Sequence, residues 1–299
     1  MAEDAFAVGA PPAALSVGRG GSVPRIARAF GRSPAGAVGL ALVLVAVTVS
    51  LLAPAIAPRD PLATDYTRQL KGPAADRLLG TDDLGRDVLS RVLYGGRISL
   101  RVSLGAVSIA LVVGVGLGLI AGFFGRWMDL ALMRLVDAQL AVPGLILAIV
   151  LATSLGATLR NVMVAIGVTA VPTFARLTRG EALRVRERDY VLAVRTLGAT
   201  NARIMARHVL PNIMGPLIVQ TSIALAGAIL VEASLGFLGL GVPPPAPTWG
   251  GLVQQGYPYL EIAPWIVFSS GAAIAVAVLG FSLLGDGLRD TLDPRLRGR

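Results

Sequence analysis

Long uncharged apolar stretches alternate along this chain with polar segments rich in arginine. A helix crossing a bilayer core takes roughly 20 apolar residues, and six stretches meet or approach that length. They run from Ala35 to Ala57, from Val102 to Phe124, between Asp137 and Arg160, from Asn161 to Ala175, from Pro211 to Glu232, and from Pro264 to Gly285. The fourth is short and is expected to continue past Arg176 or to tilt. The pattern predicts an all-α polytopic membrane protein with six transmembrane helices. It divides into a tail (1–34), a first span (35–57), an outer, periplasmic segment (58–99), a core of five spans (100–288) and a second tail (289–299).

Arginine placement gives the expected orientation, because cytoplasmic loops carry an excess of Lys and Arg. With the N-terminus inside, the cytoplasmic pieces hold Arg19, Arg25, Arg28 and Arg32, then Arg126 and Arg134, eight arginines between 176 and 207, and Arg289, Arg295, Arg297 and Arg299. Both termini are therefore expected in the cytoplasm, although 58–100 also carries cations. Ala55-Ile56-Ala57 after an apolar run has the look of a secretory signal, but a signal core is 7–15 residues and this run is longer.

Two polar segments are expected on the outer side. In the first, Leu84 to Ile98 sets Leu84, Val88, Val92 and Ile98 among Arg86, Arg91 and Arg97, a pattern that predicts an amphipathic helix lying at the interface. In the second, Gly236 to Ala263, the run Pro243-Pro244-Pro245-Ala246-Pro247 argues against any helix, and Trp249, Tyr257, Tyr259 and Trp265 suit a membrane boundary.

Composition narrows the chemistry. The 299 residues are 54% hydrophobic and 15% charged, with a mean hydropathy of +0.70, which excludes an ordinary soluble enzyme. The net charge is +9, and Lys71 is the only lysine. With no cysteine and only His208 for histidine, thiolate sites, disulfides and His-rich metal clusters are excluded. No catalytic residues, bound cofactor or metal are expected in this chain.

Within the spans, Gly114, Gly118 and Gly122 recur every four residues and read as a close-packing face rather than a nucleotide loop. Pro143 and Pro172 are expected to bend the third and fourth spans. Glu232, at the outer end of the fifth, is the one acid near a span interior. Such a carboxylate is a candidate for the pathway or a gate; the alternative is an anchor for the outer turn at the aqueous boundary.

The segment 176–211 is the most informative. Tyr190/Val191, Val194 and Leu197 have helical spacing, and Gly198 can take the left-handed conformation that ends a helix. Thr200 can cap a second short helix carrying Ile204, Met205, His208 and Val209, which is expected to stop at Pro211. The arginines here would suit lipid headgroups or a nucleic acid. A short amphipathic pair broken by a glycine suits docking into a groove on a cytoplasmic partner instead.

Leu192-Ala193-Val194, Gly198 and Leu210-Pro211 resemble the coupling motif of importer-type ATP-binding-cassette permeases, Glu-Ala-Ala followed by Gly and Leu-Pro. Gly198 lies four residues after Val194 and thirteen before Pro211, which fits the motif. Leu192 stands where the family usually has Glu, and Val194 where it has Ala. Leu79-Gly80-Thr81-Asp82-Asp83-Leu84-Gly85-Arg86-Asp87, the stretch from Glu232 to Gly241 with Pro247-Thr248-Trp249-Gly250, and the ending Gly285 to Pro294 are similar to the second, C-type permease of dipeptide, oligopeptide and nickel importers.

This resemblance implies a type I importer transmembrane domain of the MetI-like fold, in a bacterial or archaeal cytoplasmic (inner) membrane. It implies a second homologous permease, two ATP-binding-cassette ATPase subunits that hold ATP and Mg, an extracytoplasmic substrate-binding protein and surrounding membrane lipid, with no nucleic-acid partner. It places ATPase coupling on Tyr190, Leu192, Ala193, Val194, Gly198, Ala199, Ile204, His208, Leu210 and Pro211. Di- and oligopeptides are the leading substrate class; nickel chelates, glutathione and oligosaccharides are alternatives. A secondary transporter acting without ATPases would usually carry more charge at mid-membrane, and an intramembrane enzyme would need motifs such as H-E-x-x-H or G-x-S-x-G, which are missing from the sequence.

Overall fold

The computed structural model describes residues 33–292, so the expected tails lie almost wholly outside the described residues. Eleven α-helices follow one another among those residues: α1 Pro34–Leu51, α2 Ala53–Ile56, α3 Val88–Phe124, α4 Arg126–Leu140, α5 Gly144–Leu155, α6 Leu159–Arg186, α7 Asp189–Thr196, α8 Asn201–Ile204, α9 Leu210–Phe237, α10 Trp249–Gly256 and α11 Pro264–Leu292. Pairing of extended backbone among them is limited to two isolated bridges. Five of the helices are long and apolar enough to cross a membrane, or six if the bent pair α4 and α5 counts as one span.

Sequence explains most boundaries. Ser33 caps α1 by accepting from the Gly36 amide at 3.3 Å, and Asp87 caps α3 by accepting from Ser90 N at 2.8 Å, each satisfying a donor the helix leaves free. Gly125, at φ 65°, ends α3. The fourth predicted span does run past Arg176, as α6.

α3 and α6 lie side by side in the same direction, and the glycine face is what lets them touch. A Cβ on Gly114 would stand 2.6 Å from the Phe174 Cβ, and one on Gly122 would stand 2.7 Å from the Arg179 carbonyl oxygen. Small residues thus admit backbone contact, as the four-residue repeat requires. α11 packs on α1 and α9 and closes a second apolar cluster around Val43, Ile229 and Phe281. Because α3 begins where 57–87 ends and finishes beside α7, the two long non-spanning regions occupy opposite ends of the bundle.

Four expectations on helices are corrected. Leu84 to Ile98 is not a separate interfacial helix: α3 starts at Val88 and runs unbroken for 37 residues. Nothing between Ser99 and Val102 breaks it, and its first turns are buried against α10 rather than laid on a surface. The third span is not one helix, since α4 and α5 meet at 87°. Pro143 stands at the cap of α5, so it marks that break instead of bending a continuous span. The 236–263 segment does contain a helix, α10, capped by Thr248 through Gly251 N at 3.0 Å; the prolines exclude helix only up to Pro247.

The second short helix does not stop at Pro211. α8 passes through a π-turn, Met205–Val209, straight into α9. Pro211 falls in the first turn of α9, directly after the π-turn, whose last amide, Leu210 N, donates to Met205 O.

Candidate functional site

Helix α7 and its turn expose apolar side chains at one end of the bundle. Leu197 N bonds to Ala193 O at 3.2 Å, Gly198 N to Arg195 O at 3.0 Å and Ala199 N to Val194 O at 3.3 Å. Gly198 sits at φ +82° with no atom within 4 Å of where a Cβ would lie, so glycine is needed for backbone conformation alone. Thr200 then caps α8 by accepting from Arg203 N at 3.4 Å.

The predicted coupling residues divide by burial. Tyr190, Leu192, Ala193, Gly198 and Pro211 are exposed; Val194, Ala199, His208 and Leu210 are half-buried. Ile204 is fully buried with Val191 and Val209 in the main core, so it anchors the unit rather than offering a surface. Leu197, which was not among the predicted coupling residues, is 85% exposed. Its signal was its place as the apolar residue just before the terminating glycine, where it stands clear of the helix.

Arg195 of this unit and three arginines of α6 hold this end of the bundle together. Arg186 donates from Nη1 to the carbonyls of Gly122 at 3.0 Å and Phe123 at 3.3 Å, meeting orphan acceptors at the end of α3. Arg195 lies 5.5 Å from the Phe123 ring centroid. Arg179 grips Asp129 of α4 through two bonds of 2.5 and 2.7 Å, and Arg176 reaches Asp137 at 2.6 Å. Arg176 and Arg179 therefore tie α6 to α4, Arg186 ties it to α3, and Arg195 adds α7 to α3.

Pro172 is buried inside α6 and, lacking an N–H, frees the carbonyl of Val168. Gln139, near the end of α4, donates Nε2 to that carbonyl at 2.5 Å. The two candidate prolines are thus joined: the kink of one is satisfied from the helix that ends just before the other.

At the opposite end, residues 57–87 fold without long helices. Thr81 organises them, accepting from Lys71 N at 2.9 Å while its carbonyl accepts from Trp265 Nε1 at 3.1 Å. The Thr67 hydroxyl, with the nearby Arg68 and Arg77, holds the Asp65 carboxyl below the usual range, and a bond from Arg68 does the same for Asp76. Asp82 is buried between Arg86 at 2.7 Å and Arg91 at 3.3 Å. Arg91 continues to Gln255 Oε1 of α10 at 2.9 Å and to Pro61 O at 3.2 Å.

Glu232 is not at an aqueous boundary. It has no exposed surface, because α9 continues past it to Phe237 and α10 folds back over it. The Ser99 and Thr248 hydroxyls flank its carboxylate, and neither oxygen has a well-formed hydrogen bond in this conformation.

This architecture agrees with the family comparison. Residues 114–298 match the model of the binding-protein-dependent transport system inner membrane component, and residues 25–73 match that of the N-terminal transmembrane domain of oligopeptide transport permease C. The chain belongs to the binding-protein-dependent transport system inner membrane component family. It is 42% identical over 260 residues to the dipeptide transport system permease protein of Alkalihalophilus pseudofirmus, covering 87% of this chain and 86% of that one. It is 45% identical over 265 residues to the di/tripeptide transport system permease protein of Pseudomonas aeruginosa, covering 87% and 88%. A glutathione transport system permease protein of Pectobacterium atrosepticum is 40% identical over 262 residues, covering 87% of each.

The solved inward-facing MetNI methionine ABC transporter includes a chain that this one overlays with a TM-score of 0.55 at 20% identity, covering 67% of this chain and 96% of that chain. That likeness is one of fold, and it bears out the MetI-like expectation. As an inner membrane component of an ABC importer, this permease subunit is not itself the catalyst.

Proposed function

We propose that this permease imports di- or oligopeptides with energy from two partner ATPases that hold ATP and Mg, that it pairs with a second homologous permease, and that a binding protein delivers the substrate from outside. Relatives named for dipeptide and di/tripeptide transport support the substrate class. In this reading both termini are cytoplasmic, 57–87 and 238–263 face the binding protein, and α7 with its turn faces an ATPase.

One observation carries the coupling assignment. Tyr190, Leu192, Ala193 and Leu197 present apolar surface at the end of a unit fixed to α3 by Arg195 and to the main core by Val191 and Ile204. A partner gripping those side chains moves the spans with them, because packed helices shift as rigid bodies. Leu192 in place of the family's usual Glu gives a purely apolar grip, with Arg195 and Arg188 at its edge.

The test is a tagged chain purified from its own host. ATPase subunits are expected to copurify, and cysteines placed at Leu192 or Leu197 are expected to cross-link to them. Cysteines at Pro61 or Pro245 are expected to cross-link to the binding protein. Binding-protein cross-links confined to 187–209 would overturn both orientation and coupling.

A further inference from the structure

Helix α10 is a short element folded back into the bundle, with a buried carboxyl group behind its first turn and a buried guanidinium at its last. Its first amides are taken by hydroxyls: Trp249 N donates to Ser99 Oγ at 3.1 Å and Gly251 N to Thr248 Oγ1 at 3.0 Å. Each hydroxyl, having accepted there, still has its own proton to offer. Between them lies Glu232, fully buried, with two carboxylate oxygens that lack a donor. Two spare hydroxyl protons thus flank two spare acceptors, not yet bonded to them in this conformation. At the other end Gln255 is held by Arg91, itself 1% exposed and paired with Asp82.

We propose that Glu232 is a positioning residue for α10, acting through the hydroxyl protons of Ser99 and Thr248, and that α10 seated in this way keeps the outer end of the permease closed. The second half rests on the importer reading above. Apolar packing supplies part of the seating: Trp249 and Leu252 are buried, Trp249 Nε1 donates to Val92 O at 3.0 Å, and Gly250 lies backbone to backbone on Ala233, where a Cβ would stand 2.6 Å from the Ala233 Cα. The hydroxyl pins add to these contacts at the N-terminal end. A buried carboxylate left without partners is costly, and this one is placed where α10 supplies Thr248 and α3 supplies Ser99.

The native chain has no cysteine, so a single Leu252→Cys, 1% exposed on α10, reports its seating. The intact complex in nanodiscs is treated with a maleimide from both faces. Labelling is expected to be slow in the otherwise native chain and at least roughly tenfold faster with Glu232→Leu, since the two acceptors offered to the Ser99 and Thr248 hydroxyls are lost. Glu232→Gln is expected to stay slow, because the amide accepts from one hydroxyl and donates to the other. ATP hydrolysis without binding protein is expected to rise with Glu232→Leu and stay low with Glu232→Gln. If Glu232→Leu does not assemble, Thr248→Val removes one donor instead, and faster labelling is again expected.

Equal labelling in native and assembled Leu or Val variants overturns the positioning role, as does a Gln variant that labels like the Leu variant. Faster labelling with unchanged basal ATP hydrolysis overturns the closing role. Absence of any ATPase from the purified complex refutes the importer reading itself and leaves the labelling result standing separately.

Discussion

The guanidinium of Arg195 sits over the ring of Phe123, 5.5 Å from its centroid. One residue belongs to the exposed helix α7, the other to the last turn of α3, which is buried at that point. A cation over an aromatic face at a partly wet site contributes about 0.5–1 kcal/mol. That is small for folding, yet it falls on the joint between the proposed docking surface and a span.

Phe123→Leu keeps most of the apolar volume and removes the π face. Substrate-stimulated ATP hydrolysis by the complex is expected to fall roughly two- to fivefold, the rate equivalent of that interaction. Basal hydrolysis and membrane insertion are expected to stay unchanged. An unaltered stimulation ratio in proteoliposomes would show that the contact plays no part in coupling.

At Gly198 the prediction turns on backbone conformation, because nothing surrounds the missing side chain. Gly198→Asn is expected to be nearly silent, Gly198→Ala to cost about 1 kcal/mol, and Gly198→Val more. Gly198→Pro fixes φ near −65° and is expected to abolish substrate-stimulated ATP hydrolysis while the chain still inserts. Equal stimulation in the Asn and Val variants would contradict this ordering.

Gln139 and Pro172 should be energetically coupled. Gln139→Leu strands the Val168 carbonyl and is expected to lower the melting temperature of the purified complex, at a cost of about 1–3 kcal/mol. Pro172→Ala restores an N–H for that carbonyl, so in its background Gln139→Leu is expected to cost much less. Additive effects in the double-mutant cycle would mean the bond contributes nothing.

Neighbouring glycines on α3 make a further contrast. Gly114→Ala sets a Cβ against Phe174 and the Val171 carbonyl, and overpacking of that kind costs about 1–3 kcal/mol. Gly116 has nothing within 4 Å of a Cβ, so Gly116→Ala is expected to be neutral or to stabilise by up to about 1 kcal/mol. Thermal stability in detergent measures both, and the ordering is the test.

The spans and the α7–Gly198–α8 unit were legible because both rest on short-range rules: uninterrupted apolar length, helical spacing, a glycine and a capping threonine. The glycine face of α3 was legible for the same reason. What escaped depends on contacts distant in sequence. Leu84 to Ile98 has an amphipathic pattern, but only the fold shows that Arg91 is buried by Asp82 and Gln255, which turns the apparent surface helix into the start of a span. Glu232 read as an end residue because the glycines after it suggest a turn; its burial comes from α10, folded back beyond a proline run. Pro211 misled because a proline signals a stop only when the preceding residues cannot hand their hydrogen bonds to a following first turn.

That last correction has a mechanical consequence. With the π-turn carried through, Asn201–Phe237 is one helical span of 37 residues with Pro216 inside it, about 55 Å long at 1.5 Å per residue. For a span moving as one body, a tilt of about 5° imposed at its Asn201 end displaces the far tip by about 5 Å over that length. The tip carries Glu232 and Gly236, so a single helix joins the surface proposed for an ATPase with the seat of α10.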